Sequence, residues 1–192
     1  MTVRVADDPE IIEFPSAEAF EQWVVTHGDV QGLWLKLAKG VPGALNYAQA
    51  LDVALCHGWI DGQKRALDEA YWLQKFTPRR ARSPWSKVNR AKVEALIAAG
   101  RMRPGGQAEV DRAKGDGRWD AAYDSPRTAE VPADLAEALA ADPAAAAFFA
   151  TLNSTNRFSI LYRVQEAKRP ETRARRIAQY VAMCAEGRKI YP

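Results

Sequence analysis

Between His57 and Arg103 the chain gathers most of the side chains able to do chemistry: HGWIDGQKR, then QKFTPRRARSPWSKVN. His57 and Asp61 are four residues apart, and a histidine with a carboxylate is the minimal general-base unit. If the chain is extended from Trp59, then Trp59, Asp61 and Gln63 share one face. Asp61 could then orient His57 or accept from an arginine of the following segment. No Ser or Cys nucleophile is set beside the pair by spacing. Cys56 adjoins His57, but neighbouring side chains on a helix point about 100° apart. A helix-end histidine and a salt-bridged carboxylate is therefore preferred to a catalytic pair.

Charge is the second feature of this run. From Lys75 to Arg103 there are nine Lys or Arg and one acid, Glu94, in a chain whose net charge is only +3. Ser83-Pro84 reads as an N-cap followed by Pro at the first helical position. Free N–H groups and the dipole at such an end attract anions. Arg79, Arg80 and Arg82 precede it, Trp85 offers a stacking surface, and Ser86, Lys87 and Asn89 follow. Cations oppose the dipole there, so an anion or an acidic neighbour is expected. The expected site is a basic, aromatic pocket of Trp59, Asp61, Gln63, Arg79, Arg80, Trp85, Ser86, Lys87 and Asn89, with a nucleotide or phosphorylated metabolite as ligand. The competing reading has Trp85 in the core and the cations merely solvated.

A second basic stretch holds Arg157, Arg163, Lys168, Arg173 and Arg176. Phosphate contacts to a nucleic acid are one reading. The preferred reading is that these residues clamp the C-terminal helices onto acidic parts of the chain. Acids are available: seven against one Arg in residues 1–31, and nine against four Lys or Arg in residues 109–142. Two His and two Cys without zinc-type spacing predict no metal site. Walker, G-x-G-x-x-G and G-x-S-x-G patterns are missing, so no cofactor is expected, and GRMRPGGQ reads as a helix–helix connection. No feature specifies an oligomeric state.

Cys56 and Cys184 have apolar neighbours and are expected as free buried thiols of a reducing compartment. The first residues, MTVRVADDPEII, lack the pattern of a secretory leader, and no apolar run reaches membrane-spanning length. A cytoplasmic location follows by elimination.

The elements that must position these residues are legible from period and punctuation. Ile11 to Phe14 is a short strand. Ser16 caps a helix whose apolar face is Phe20, Trp23, Val24 and His27, ended by Gly28. Gly32 to Lys39 alternates as a half-buried strand. Asn46 caps a helix carrying Leu51, Ala54 and Leu55, stopped at Gly58. Trp59–Leu67 and Ala70–Thr77 form a hairpin. A helix from Ser83-Pro84 to Ala99 and a shorter one over Gly106–Lys114 follow. Residues 119–132 read as a linker, and four helices follow over Ala133–Ala141, Pro143–Leu152, Thr155–Ala167 and Pro170–Glu186. The fold class is α+β: an N-terminal domain over 1–118 with a small antiparallel sheet, then an all-helical region over 133–192.

WIDGQ at Trp59–Gln63, QKFTPRRARSPWSKVN at Gln74–Asn89, GRM at Gly100–Met102 and AKRPETRARRI at Ala167–Ile177 resemble the bacterial YdeI/OmpD-associated proteins. The last segment is similar to the helical OmdA region named for bacteriocin protection. The resemblance implies a YdhG-like α+β domain and an association with bacteriocins, antimicrobial peptides and envelope stress. It supplies no reaction, cofactor or catalytic residue. The expectation is a non-enzymatic binder of a small anion, with a nucleic-acid-binding regulator and an enzyme using His57 and Asp61 as alternatives.

Overall fold

A computed structural model describes residues 9–28 and 30–192. The reading of the first residues as leader-free, and part of the N-terminal acidic block, fall outside the described residues. The described residues divide into two compact units, one drawn from residues 9–85 and 89–121, the other from residues 86–88 and 122–192.

The first unit is built on a four-stranded sheet of β1 (Ile11–Ile12), β2 (Leu33–Ala38), β3 (Trp59–Ala66) and β4 (Tyr71–Pro78), in the order β1-β2-β4-β3. The sheet is mixed, not antiparallel throughout: β1 runs parallel to β2, while β2 and β3 both pair antiparallel with β4. Parallel pairing requires a crossover, and α1 (Ala17–Thr26) supplies it. Ser16 caps α1 by accepting from the Ala19 amide. The period-2 pattern of β2 puts Leu33, Leu35 and Leu37 on one fully buried face, and Phe76 lies opposite Leu33 and packs on Phe20 of α1 with ring centroids 5.7 Å apart.

Helix α2 (Tyr47–Cys56) opens on a reciprocal Asn46–Gln49 capping box and buries Leu51, Ala54 and Leu55. It ends at His57 and Gly58, the latter at φ 80°. In the hairpin the register slips between Asp61 and Lys64. Such a bulge sets an extra residue in one strand, so Lys64, not Gln63, continues the face of Trp59 and Asp61. Gln74, buried opposite the bulge, donates its amide to the Gly62 and Gln63 carbonyls.

The next helix, α3 (Lys87–Ala98), begins beyond Ser83-Pro84. Ser83 Oγ instead accepts from the Arg80 amide and closes a turn. The reason is Trp85, which is only 2% exposed. Its ring lies beneath the Arg79 guanidinium at 3.5 Å and meets Trp119 edge-on at 5.0 Å. Burying it keeps residues 83–85 out of the helix. Helix α4 (Pro104–Gly115) then packs on the end of α2. A Cβ on Gly105 would meet the His57 carbonyl oxygen at 3.0 Å, and one on Gly106 would meet the Cys56 carbonyl oxygen at 2.2 Å. The Gly-rich turn therefore does join two helices, and its glycines set the approach of α4 to a third.

The second unit contains α5 (Ala133–Ala140), α6 (Pro143–Thr151), α7 (Ser154–Glu166) and α8 (Pro170–Ala185). Each lies within two residues of the span its sequence predicts. Asp142 and Asn153 cap α6 and α7, and Pro170 opens α8. Ile177, Tyr180 and Cys184 of α8 meet Leu135, Phe149, Ile160 and Val164 in one core. The arginines clamp within this unit. Arg173 holds Asp134 through two nitrogens and also donates to the Val164 carbonyl. Arg176 donates to the Arg163 carbonyl and reaches Glu166 at 3.3 Å. Buried Asn156 bonds both the amide and the carbonyl of Tyr191. In the stretch read as a linker, Trp119 and Ala122 are buried.

The α2–α4 approach predicts opposite responses from two glycines of one helix. Gly106→Ala forces a Cβ against backbone and should cost about 1–3 kcal/mol. Gly115→Ala meets nothing within 4 Å and should stabilise by about 0.4–1 kcal/mol. Urea denaturation of both variants reads this directly; equal midpoints would contradict it.

Candidate functional site

In the first unit a groove of about 1060 Å³ runs along two helices. One wall is Glu18, Glu21, Gln22 and Val25 of α1, and the other is Gly105, Ala108, Glu109 and Arg112 of α4. Both sets fall at i, i+3, i+4, i+7, the spacing of a single helix face. His57, Gly58, Trp59, Pro78 and Arg79 contribute the strand ends between them. The small residues Gly105 and Ala108 keep the α4 wall shallow.

A hydrogen-bonded knot ties this groove together. Glu21 Oε1 accepts from His57 Nε2 at 2.9 Å and from Arg103 Nε at 3.1 Å, with Arg103 Nη2 also at 3.1 Å. An ionised carboxylate only accepts, so Nε2 of His57 carries the proton. The His57 bond, aided by Arg103 and opposed by partial burial, holds the Glu21 carboxyl below its usual range. Glu18 is held low as well, by Ser16 and by its own backbone amide. On the opposite wall Arg112 Nη1 binds Glu109 Oε1 at 2.8 Å. Glu109 Oε2 is buried without a hydrogen-bond partner among the described residues.

The residues singled out in the sequence are dispersed. Trp59 and Arg79 line the groove, as does His57. Asp61 does not join His57: it accepts from the Tyr47 hydroxyl at 2.8 Å, while Glu21 supplies the carboxylate on His57. Gln63 and Arg80 are exposed. Trp85 and Asn89 are buried, and Lys87 is engaged by Asp124 at 2.8 Å in the second unit. With α3 starting at Lys87, the helix end proposed to hold an anion at Pro84 does not exist. Four further cations of the basic run are met by acids: Lys92 and Arg101 by Asp52, Arg90 by Glu94, and Arg103 by Glu21. Cys56 is buried, and burial pushes its thiol up, away from nucleophilic use.

Sequence reasoning missed Glu18, Glu21, Arg103, Glu109 and Arg112. A signal was present in the charged residues that recur at i, i+3 on α1 (Glu18, Glu21) and on α4 (Glu109, Arg112). Their meeting across more than 80 residues carries no local signature.

A smaller cavity of about 420 Å³ lies in the second unit, floored by Phe158, Leu161, Tyr162 and Gln165 of α7, with Lys87 and Arg173 among its lining. Tyr162 meets Tyr123 edge-on at 4.9 Å, and burial raises its phenol, which stays protonated.

Residues 12–109 match the family model described as a domain of unknown function, DUF8412, and residues 128–187 match the model described as "Bacteriocin-protection, YdeI or OmpD-Associated". No curated protein and no solved structure gives a significant match.

Carboxyls held low in the folded state stabilise it above their unfolded pKa, and that stabilisation is lost as pH falls through the lowered folded value. Glu21 and Asp134, the latter held down by Arg173, act in this sense. Chemical denaturation at stepped pH should show stability falling below about pH 4.5. Glu21→Gln should flatten that acid limb, and an unchanged limb would show that the His57–Arg103 knot does not hold Glu21 ionised.

Proposed function

Because the chain belongs to the DUF8412 family and carries a C-terminal bacteriocin-protection, YdeI or OmpD-associated (OmdA) domain, we propose that it is a non-enzymatic binding protein. Its first unit takes a small metabolite by an anionic group in the α1–α4 groove. The observation that carries this reading is the groove itself. Its volume of about 1060 Å³ suits a metabolite-sized ligand, since small-molecule sites run to about 1,000 Å³.

The anion partners are Arg103 and Arg112, whose side chains are 52% and 46% exposed. Each keeps guanidinium donors beyond those given to Glu21 and Glu109. Pro78 and Ala108 offer apolar surface in the groove, above the buried Trp59. This moves the ligand away from Trp85, Ser86, Lys87 and Asn89 while keeping Trp59 and Arg79 in its walls. The description of the OmdA family supports a role in protection against bacteriocins, with ligand binding as its molecular event. The two free buried cysteines, Cys56 and Cys184, support action in the reducing cytoplasm.

Thermal-shift screening of nucleotides, phosphorylated metabolites, dicarboxylates, amino acids and short peptides tests the reading. A ligand present at about 100 times its Kd stabilises by about 2.7 kcal/mol, a rise of several degrees in Tm. Arg103→Gln should weaken that ligand about tenfold, the worth of a charge-assisted hydrogen bond. No shift with any compound in the wild-type protein would overturn the reading.

A further inference from the structure

The α1 wall of the groove carries two acids, and the α4 side carries two arginines, Arg103 and Arg112, with one acid, Glu109, that Arg112 already engages. Glu18 and Glu21 stand on α1, with no acid-neutralising partner for Glu18 among the described residues and with Glu21 engaged through Oε1 alone. Both carboxyls are held ionised. Arg103 and Arg112 stand at the start of α4 and along it. Arg103 presents Nε and Nη2 to Glu21, leaving Nη1, and Arg112 presents Nη1 to Glu109, leaving Nε and Nη2.

A ligand bearing only negative charge would satisfy the α4 wall while facing two carboxylates across the groove. A ligand bearing only positive charge would meet the reverse. Like charges brought together in a partly desolvated cleft are strongly disfavoured. A zwitterion meets both walls with complementary groups, and its uncharged middle lies along Gly105 and Ala108.

We propose that the groove recognises a zwitterion of the α-amino acid or short-peptide class. Its ammonium is held by Glu18 and Glu21 of α1, and its carboxylate by Arg103, just before α4, and Arg112 of α4. The inference rests on the groove being the ligand site and specifies what that ligand carries besides its anionic group. The Glu21–His57–Arg103 knot positions the acidic and basic ends relative to one another. His57 keeps Glu21 turned toward Arg103, so Glu21 Oε2 is the oxygen left for the ammonium.

The test is saturation-transfer NMR, followed by calorimetry, on the whole chain with a panel of free α-amino acids and dipeptides. Each is compared with its N-acetyl derivative, which keeps only the carboxylate, and its C-amide, which keeps only the ammonium. At least one zwitterion should bind, and both of its capped forms should bind about tenfold more weakly or worse. Glu18→Gln lies on an exposed helix position and should selectively reduce the penalty for N-acetylation, whereas Arg103→Gln should reduce the penalty for C-amidation. An N-acetyl form binding as well as its parent, or binding of nucleotides and phosphates but of no panel member, would overturn the zwitterion and leave the anion site standing. Binding of nothing at all would remove both.

Discussion

The close approach of α4 to the last turn of α2 is the contact on which the first unit's surface depends. Helices usually sit 8–10 Å apart because their side chains intervene. Here Gly58, Gly105 and Gly106 remove the side chains, and the α4 backbone comes to rest on the Cys56 and His57 carbonyls. Three consequences follow. The Arg103 amide reaches the Cys56 carbonyl, which satisfies an acceptor at the end of α2 that the helix itself leaves open. The Arg103 side chain is delivered to Glu21. The α4 face beyond it, with Gly105 and Ala108, becomes one wall of the groove. A larger residue at either of positions 105 and 106 would displace that wall.

Among the described residues, much of the charge of the basic run is neutralised by ion pairs within the chain. The basic run that dominates the sequence is distributed among Asp52, Glu94, Glu21 and Asp124, and one of its arginines is stacked on Trp85. Most of these pairs are partly exposed, and such pairs contribute at most about 1 kcal/mol each. Their main effect is on potential: each pair reduces the positive field of the run locally. What remains along the α1–α4 groove is local polarity, two acids on α1 facing the Glu109–Arg112 pair of α4 and the Arg103 that precedes it.

The helical unit follows a different logic. Its stability rests on an apolar core of Leu135, Phe149, Ile160, Val164, Ile177 and Tyr180, while its arginines bind carbonyls and acids of the same unit. Arg173 is the clearest case, joining the start of α5 to the end of α7 from the first turn of α8. That is why a basic C-terminal sequence yields a cross-braced helical bundle.

Sequence and structure divide along the range of the interactions involved. Helices α5 to α8, the Ser16 and Asn46 caps, the hairpin and the leucine face of β2 were all readable in the chain, because capping, turn chemistry and hydrophobic period act within a few residues. The polar faces of α1 and α4 were equally present as patterns. Three features were decided only by tertiary contacts. Trp85 overrode a strong Ser-Pro start signal, since burying an indole outweighs the loss of a helical turn. The bulge before Lys64 reset which residues share a face with Trp59. Glu21, His57 and Arg103, spread over more than 80 residues, became one hydrogen-bonded knot. Local physics therefore determined which elements form and which faces are polar; long-range packing, through the glycine contact of α2 and α4, decided which of those faces oppose one another across the groove.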